Sequence, residues 1–205
     1  MNPQSKYLAL GALTLGLQGC PSSTVPFDPG STTDTTPPVA SVKVDTSLTT
    51  VDQSGVSSTH LQESREATGQ VPGRPQNVVA TVSTASELDI TASASDNESG
   101  IKELVLKVNR TVYYIPSDPN LPPSPALMPT QELKRITNTL SNGQVPKLAI
   151  TALRTGIAAE RHFVNSNGTT VTGSGVVLKY FVESKNFNGQ VTNTDAVTIV
   201  SGRVQ

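Results

Sequence analysis

From Val39 onward apolar and polar residues alternate along the chain and β-branched residues are frequent, a pattern that predicts strands with one face buried. VASVKV at 39–44 alternates cleanly. NVVATVS at 77–83 and ELDITASA at 87–94 read as a pair of strands joined by the polar Thr84 to Ser86. IKELVLKVN at 101–109 puts Ile101, Leu104, Leu106 and Val108 mostly on one side, and RTVYYI extends it. Near the end, VVLKYFVES at 176–184 and QVTNTDAVTIV at 190–200 flank KNFNG. Asn188-Gly189 suits the tight hairpin turn there, because both residue types tolerate positive φ.

Two segments break this rhythm. LQESREATGQVPGRP at 61–75 is polar and reads as a long loop. PSDPNLPPSPALMP at 116–129 has six prolines, which exclude a central strand. After it, TQELKRITNTLSNG spaces Leu133, Ile136 and Leu140 at helical intervals. Thr130 offers a cap and Gly143 a stop, so a short helix is predicted inside an insertion at about 116–146. Many short strands with one inserted helix predict an all-β class and a β-sandwich over 39–205.

Two stretches carry a family likeness. SASDNESGIKELVLKVN at 93–109 and KYFVESKNFNGQVTNTDAVTIV at 179–200 resemble parts of bacterial immunoglobulin-like domains of the cadherin and fibronectin type III kind. The first matches an Asp-rich turn leading into an aliphatic strand, the second a closing hairpin. The resemblance implies an immunoglobulin-like sandwich. Asn186 and Gln190 stand where that family more often has Asp and Asn, and the proline-rich insertion lengthens the gap between the two stretches.

The chain's start has a different character. Met1 to Lys6 is polar with one basic side chain, and YLALGALTLGL at 7–17 is apolar and uncharged. This is the layout of a secretory signal, with an apolar part shorter than the roughly 20 residues a spanning helix needs. Leu17-Gln18-Gly19-Cys20 then resembles the lipobox of bacterial lipoproteins. That resemblance implies a signal peptide over 1–19, cleavage between Gly19 and Cys20, and a diacylglyceryl group on the Cys20 thiol. The freed amine would carry a further acyl chain such as palmitate. Each acyl chain contributes on the order of 10 kcal/mol of membrane binding, from about 0.8 kcal/mol per methylene. Residues 20–38, with five prolines after Cys20 and many Ser and Thr, bury too little to fold and read as a tether. Its reach is roughly 25 Å as a flexible coil and about 55 Å when extended. Pro21 rather than Asp follows Cys20, which points to the outer membrane in a two-membrane cell.

Composition narrows the chemistry. Cys20 is the only cysteine, so no intrachain disulfide is available, and aromatic residues make up 4 % with no tryptophan. A net charge of −1 with interspersed signs lacks the basic face that nucleic acid requires. His60 and His162 have no cysteine to join them in a zinc site. Ser174 in TGSGV is not in a G-x-S-x-G elbow, and the segment reads as a flexible turn. The sharpest metal candidate is calcium on Asp96, Asn97 and Glu98, with few carboxylates for an ion wanting six to eight oxygens. The same residues read, with better support, as a turn whose side chains bond their own backbone. No cofactor beyond the covalent lipid and no catalytic residue is indicated. The expectation is a non-enzymatic envelope lipoprotein whose sandwich binds an envelope or extracellular protein or a glycan. The alternatives are an envelope hydrolase built around the 116–146 insertion and a purely structural module.

Overall fold

The computed structural model describes residues 34–51, 53–68, 77–116, 118, 120–139 and 145–204. The signal segment, Cys20 and most of the tether lie outside the described residues. Two sheets pack face to face. The first contains β1 (Val39–Val51), β2 (Ser57–Thr68), β4 (Ser86–Ser95) and β8 (Lys147–Gly156) in the order β2-β1-β4-β8, all antiparallel. The second is built on β5 (Ile101–Tyr114), β11 (Gly175–Asn186), β13 (Ala196–Gly202) and β3 (Asn77–Val82), in the order β3-β13-β11-β5. On the free side of β5 lie β6 (Ser124–Leu127) and β7 (Gln131–Thr137), end to end. Beyond β13, β12 (Val191–Asn193) continues beside β11. A small hairpin of β9 (His162–Val164) and β10 (Thr170–Thr172) follows a single helical turn, α1 (Ile157–Glu160).

The all-β sandwich expected from the alternation is what forms. Val42, Val44, Leu88 and Ile90 of the first sheet meet Leu104, Leu106, Leu178, Tyr180, Val182 and Ile199 of the second, each at most 1 % exposed. Such side chains stabilise the fold by about 1.5–3 kcal/mol each. They supply the cohesion a chain without a disulfide needs.

Four local expectations are corrected. The segment predicted as a helix after Thr130 is strand β7 over 131–137, with residues 140–143 outside the described set; among the described residues the helical turn sits instead at 157–160. Residues 61–68 of the expected polar loop are paired in β2 with β1. Strands β3 and β4 are not a hairpin: β4 joins β1 and β8, whereas β3 runs parallel to β13 in the other sheet. At the β11–β12 turn only Gly189 takes positive φ, at 88°, and not Asn188. Asn186 O accepts from Gly189 N–H while Asn186 N–H donates to Gln190 O, a tight turn closed by a left-handed glycine.

Strand β8 forms one edge of its sheet and carries a bulge. Ile90 pairs with Leu153 and Ala92 with Ile150, so Thr151 and Ala152 together oppose Thr91. Ala152 adopts φ 52°, a left-handed conformation that a β-carbon makes unfavourable by about 1–2 kcal/mol. Its side chain is exposed, so nothing in the core depends on its methyl. Ala152→Gly is expected to raise stability by about 0.5–1 kcal/mol, the strain relieved less the added freedom of the unfolded chain. A higher urea midpoint at unchanged slope checks this.

Candidate functional site

Register fixes which loops share an end. β1 and β13 run away from the point where the described chain begins, and β4 and β11 run towards it. Asp34, the β4–β5 loop and the β11–β12 turn therefore crowd one pole. The β5–β6 connection, α1, the β9–β10 hairpin and Val204 crowd the other. Twelve β5–β11 pairs separate the poles by roughly 40 Å at about 3.3 Å per residue.

The first pole collects Asp96, Asn97, Glu98 and Asn186, all singled out in the sequence, with Asp34, which was not. Asp96 is 8 % exposed and Asp34 5 %, whereas Asn97 and Glu98 are exposed. Asp96 Oδ1 accepts from the backbone N–H of Glu98 (3.0 Å) and of Ser99 (2.9 Å), the self-capping turn that the sequence favoured. Asn186 lies at the centre, fully buried. Its Oδ1 accepts from Gln190 N–H at 2.8 Å, which orients the amide so that Nδ2 faces acceptors. Nδ2 then reaches Asp96 Oδ2 (3.0 Å), Thr36 O (3.3 Å) and Asp34 Oδ2 (3.5 Å). An amide donor thus occupies the space between two buried carboxylates. Among the described residues no group of three His, Cys, Asp or Glu side chains is arranged to hold a metal ion. The Asp34 carboxyl is held below its usual range chiefly by the Ser99 hydroxyl, against the opposing effect of burial. Glu98 is raised, first by a hydrogen bond shared with Asp34 and then by the charges of Asp34 and Asp96.

The opposite pole is apolar at its tip and polar at its base. Tyr114 and Phe163 stack at 6.1 Å between ring centroids, tilted by 44°. Beside this pair Ile115 and Leu121 are each more than half exposed, and Val164 is exposed on β9. Below them Glu160 accepts from Arg110 Nη1 (3.4 Å) and Thr155 Oγ1 (3.0 Å). Arg161 donates through Nε to Gly173 O at 2.9 Å, pinning the hairpin. Tyr180 is 1 % exposed and its phenol is pushed far up by burial, so it stays protonated.

Other candidates fall into plain structural roles. Ser174 sits in a tight clamp rather than a flexible turn: its hydroxyl is 2.9 Å from Arg203 O and 3.1 Å from Tyr113 O. His60 and His162 are exposed on strands of different sheets, beside the Ser58 and Thr172 hydroxyls. The insertion lies flat as edge strands β6 and β7, where Arg135 forms solvent-facing ion pairs with Glu103 and Glu132. A shallow groove of about 210 Å³ on the outer face of the first sheet is lined by Ser41, Ser93, Thr91, Lys43, Glu66 and Lys147, among others. No family model matches this chain, and no curated protein matches it either.

Proposed function

We propose that the chain is a membrane-anchored bacterial envelope lipoprotein, acylated on Cys20, that displays a non-catalytic immunoglobulin-like sandwich to bind a protein or glycan. The observation that carries this reading is polarity. The described chain begins at the Asp34 pole, and exposed Ile115 and Leu121 lie with the Tyr114–Phe163 pair at the pole roughly 40 Å away. A lipid at Cys20 would hold the first pole towards the bilayer and present the second outward. Exposed apolar clusters on soluble domains mark interaction sites. Support for the immunoglobulin-like assignment is the partition of strands, with β1, β4 and β8 in one sheet and β5, β11 and β13 in the other, as in the constant-type arrangement. The membrane proposed is the outer one where the cell has two.

Both halves can be tested on the full chain in cells. Mass spectrometry of the wild type is expected to show an acylated amino terminus at Cys20, and Cys20→Ser an uncleaved precursor without lipid. Normal processing of that variant refutes the anchor. Ile115→Ser with Leu121→Ser is expected to lower cross-linking to the bound partner at least tenfold, while Lys147→Ser in the outer groove leaves it unchanged. The reverse result moves the binding site to the groove.

A further inference from the structure

Two turns of this chain share one hydrogen-bond pattern. Asn165-Ser166-Asn167-Gly168-Thr169 joins β9 to β10, and Asn186-Phe187-Asn188-Gly189-Gln190 joins β11 to β12. In each, the O of the first Asn accepts from the Gly N–H, at 3.0 Å for Asn165 and 3.2 Å for Asn186. The N–H of that Asn donates to the fifth residue's O, at 2.9 Å to Thr169 and 3.0 Å to Gln190. Its Oδ1 accepts from the fifth residue's N–H, at 2.9 Å from Thr169 and 2.8 Å from Gln190. Both glycines are left-handed, with φ 77° at Gly168 and 88° at Gly189. Each turn therefore carries an Asn-Gly pair in the same backbone setting. A third pair, Asn142-Gly143, lies outside the described residues.

Asn-Gly is the dipeptide in which the following backbone nitrogen attacks the asparagine amide most readily, because glycine has no β-carbon to obstruct the approach. The two pairs differ in what holds them. Asn188 is half-buried, and its Nδ2 donates to Asp34 O at 3.2 Å. Its turn continues a strand paired with β5 as far as the fully buried Asn186. Asn167 is exposed, as are Ser166, Gly168 and Thr169, and among the described residues its side chain holds no hydrogen bond. Its turn closes β9 and β10, which share three residue pairs and form a two-stranded sheet of their own. A ribbon that short is marginal in water and opens at little cost.

We infer that Asn167 is a site of spontaneous deamidation, where the chain gains a carboxylate with age, and that the matched Asn188 is held back from the same reaction. The chemistry needs only water. Once the turn opens and Gly168 N–H leaves Asn165 O, the Gly168 nitrogen gives up its proton and bonds to the Asn167 side-chain carbonyl carbon. Ammonia leaves, and a cyclic imide remains. Water then opens the imide at either carbonyl, giving aspartate or, with the chain rerouted through the side chain, isoaspartate. Nothing is oxidised or reduced. At Asn188 two ties must break first, Gly189 N–H from Asn186 O and the side-chain amide from Asp34 O. The new negative charge falls at the tip of the β9–β10 hairpin, on the outer pole.

Peptide mapping by mass spectrometry on the full chain, incubated at mildly alkaline pH, reads the amide-to-acid conversion at each asparagine separately. Asn167 is expected to convert at least about tenfold faster than Asn188, as the cheaper opening of its turn requires. In urea sufficient to unfold the chain the two rates should converge, since both sites are then plain Asn-Gly. Asn165→Ala removes the Oδ1 that accepts from Asn167 N–H (3.0 Å) and Thr169 N–H (2.9 Å). It should speed conversion at Asn167 severalfold and leave Asn188 unchanged. Equal rates at the two sites in the folded chain overturn the inference, as does a difference that persists in urea. An Asn167 rate unmoved by Asn165→Ala contradicts control by turn opening.

Discussion

Asn186→Ala is expected to destabilise the fold by about 3–5 kcal/mol, several-fold more than a typical substitution at a turn. The side chain is fully buried, and both ends of its amide are used. Truncation removes the acceptor of Gln190 N–H and the donor facing Asp96 Oδ2, Asp34 Oδ2 and Thr36 O. Each buried group left without a partner costs about 1–3 kcal/mol. Asp96 keeps its backbone donors and the Ser99 hydroxyl at 3.3 Å, so the losses fall short of their full sum. Asn186→Asp separates charge from shape. It nearly preserves volume but sets a third carboxylate against two buried ones, so at neutral pH it should destabilise at least as much as Ala. Unlike Ala, it should recover as pH falls, because like charges raise the new carboxyl's pKa and its protonated form donates again. Its contribution is thus present in acid and lost as pH rises. Urea titrations at several pH values read both effects. An Asn186→Asp variant with wild-type stability at neutral pH would contradict the assignment of the amide as donor.

How much of this was legible beforehand depends on parity. Strands with unbroken alternation, such as 87–94 and 176–184, were readable because each inward residue lies two from the next. Bulges destroy that cue. In β7, Leu106 pairs with Lys134 and Lys107 with Glu132, leaving Leu133 unpaired and placing the inward pair Leu133 and Ile136 three residues apart. That spacing imitates one face of a helix, which is why the sequence predicts one there. The bulge in β8 likewise sets Ile150 and Leu153 three apart, which hid the strand. β2 was invisible for another reason. Its side chains are mostly exposed, since it covers little core and is held by backbone pairing with β1, which leaves little apolar trace. At the first pole the sequence pointed to Asp96, Asn97 and Glu98. It could not supply Asp34, which sits in a stretch without an apolar pattern, or show that Asn186 turns its amide inward. Such convergence across 152 positions, from 34 to 186, is a property of topology and not of any local run.

Gly202→Ala carries the second large expectation, a loss of about 2–5 kcal/mol, from roughly 1–2 for a β-carbon at left-handed φ and about 1–3 for overpacking. Gly202 has φ 76° and pairs with Gly175 across β11 and β13, where the two strands end at the outer pole. A β-carbon on Gly202 would lie well inside contact with Ser174 O, and one on Gly175 would lie 2.5 Å from Arg203 O. Both obstacles are backbone, so no side-chain rotation relieves them. The backbone cannot easily yield either. Arg203 N–H donates to Ser174 O (3.0 Å), Ser174 N–H donates to Tyr113 O (2.6 Å), and the Ser174 hydroxyl reaches Tyr113 O and Arg203 O. This clamp ties the end of β5 to the start of β11 and the end of β13. It is therefore what positions Tyr114 and Ile115, the next residues of β5 and its exit. Gly202→Ala should lower partner capture more than its loss of folded protein explains, whereas a core truncation of similar severity away from this pole, such as Ile101→Ala, should lower capture only in proportion to folded protein. Comparing capture per folded molecule for the two variants decides whether a rigid outer pole, and not merely a folded body, is what binding requires.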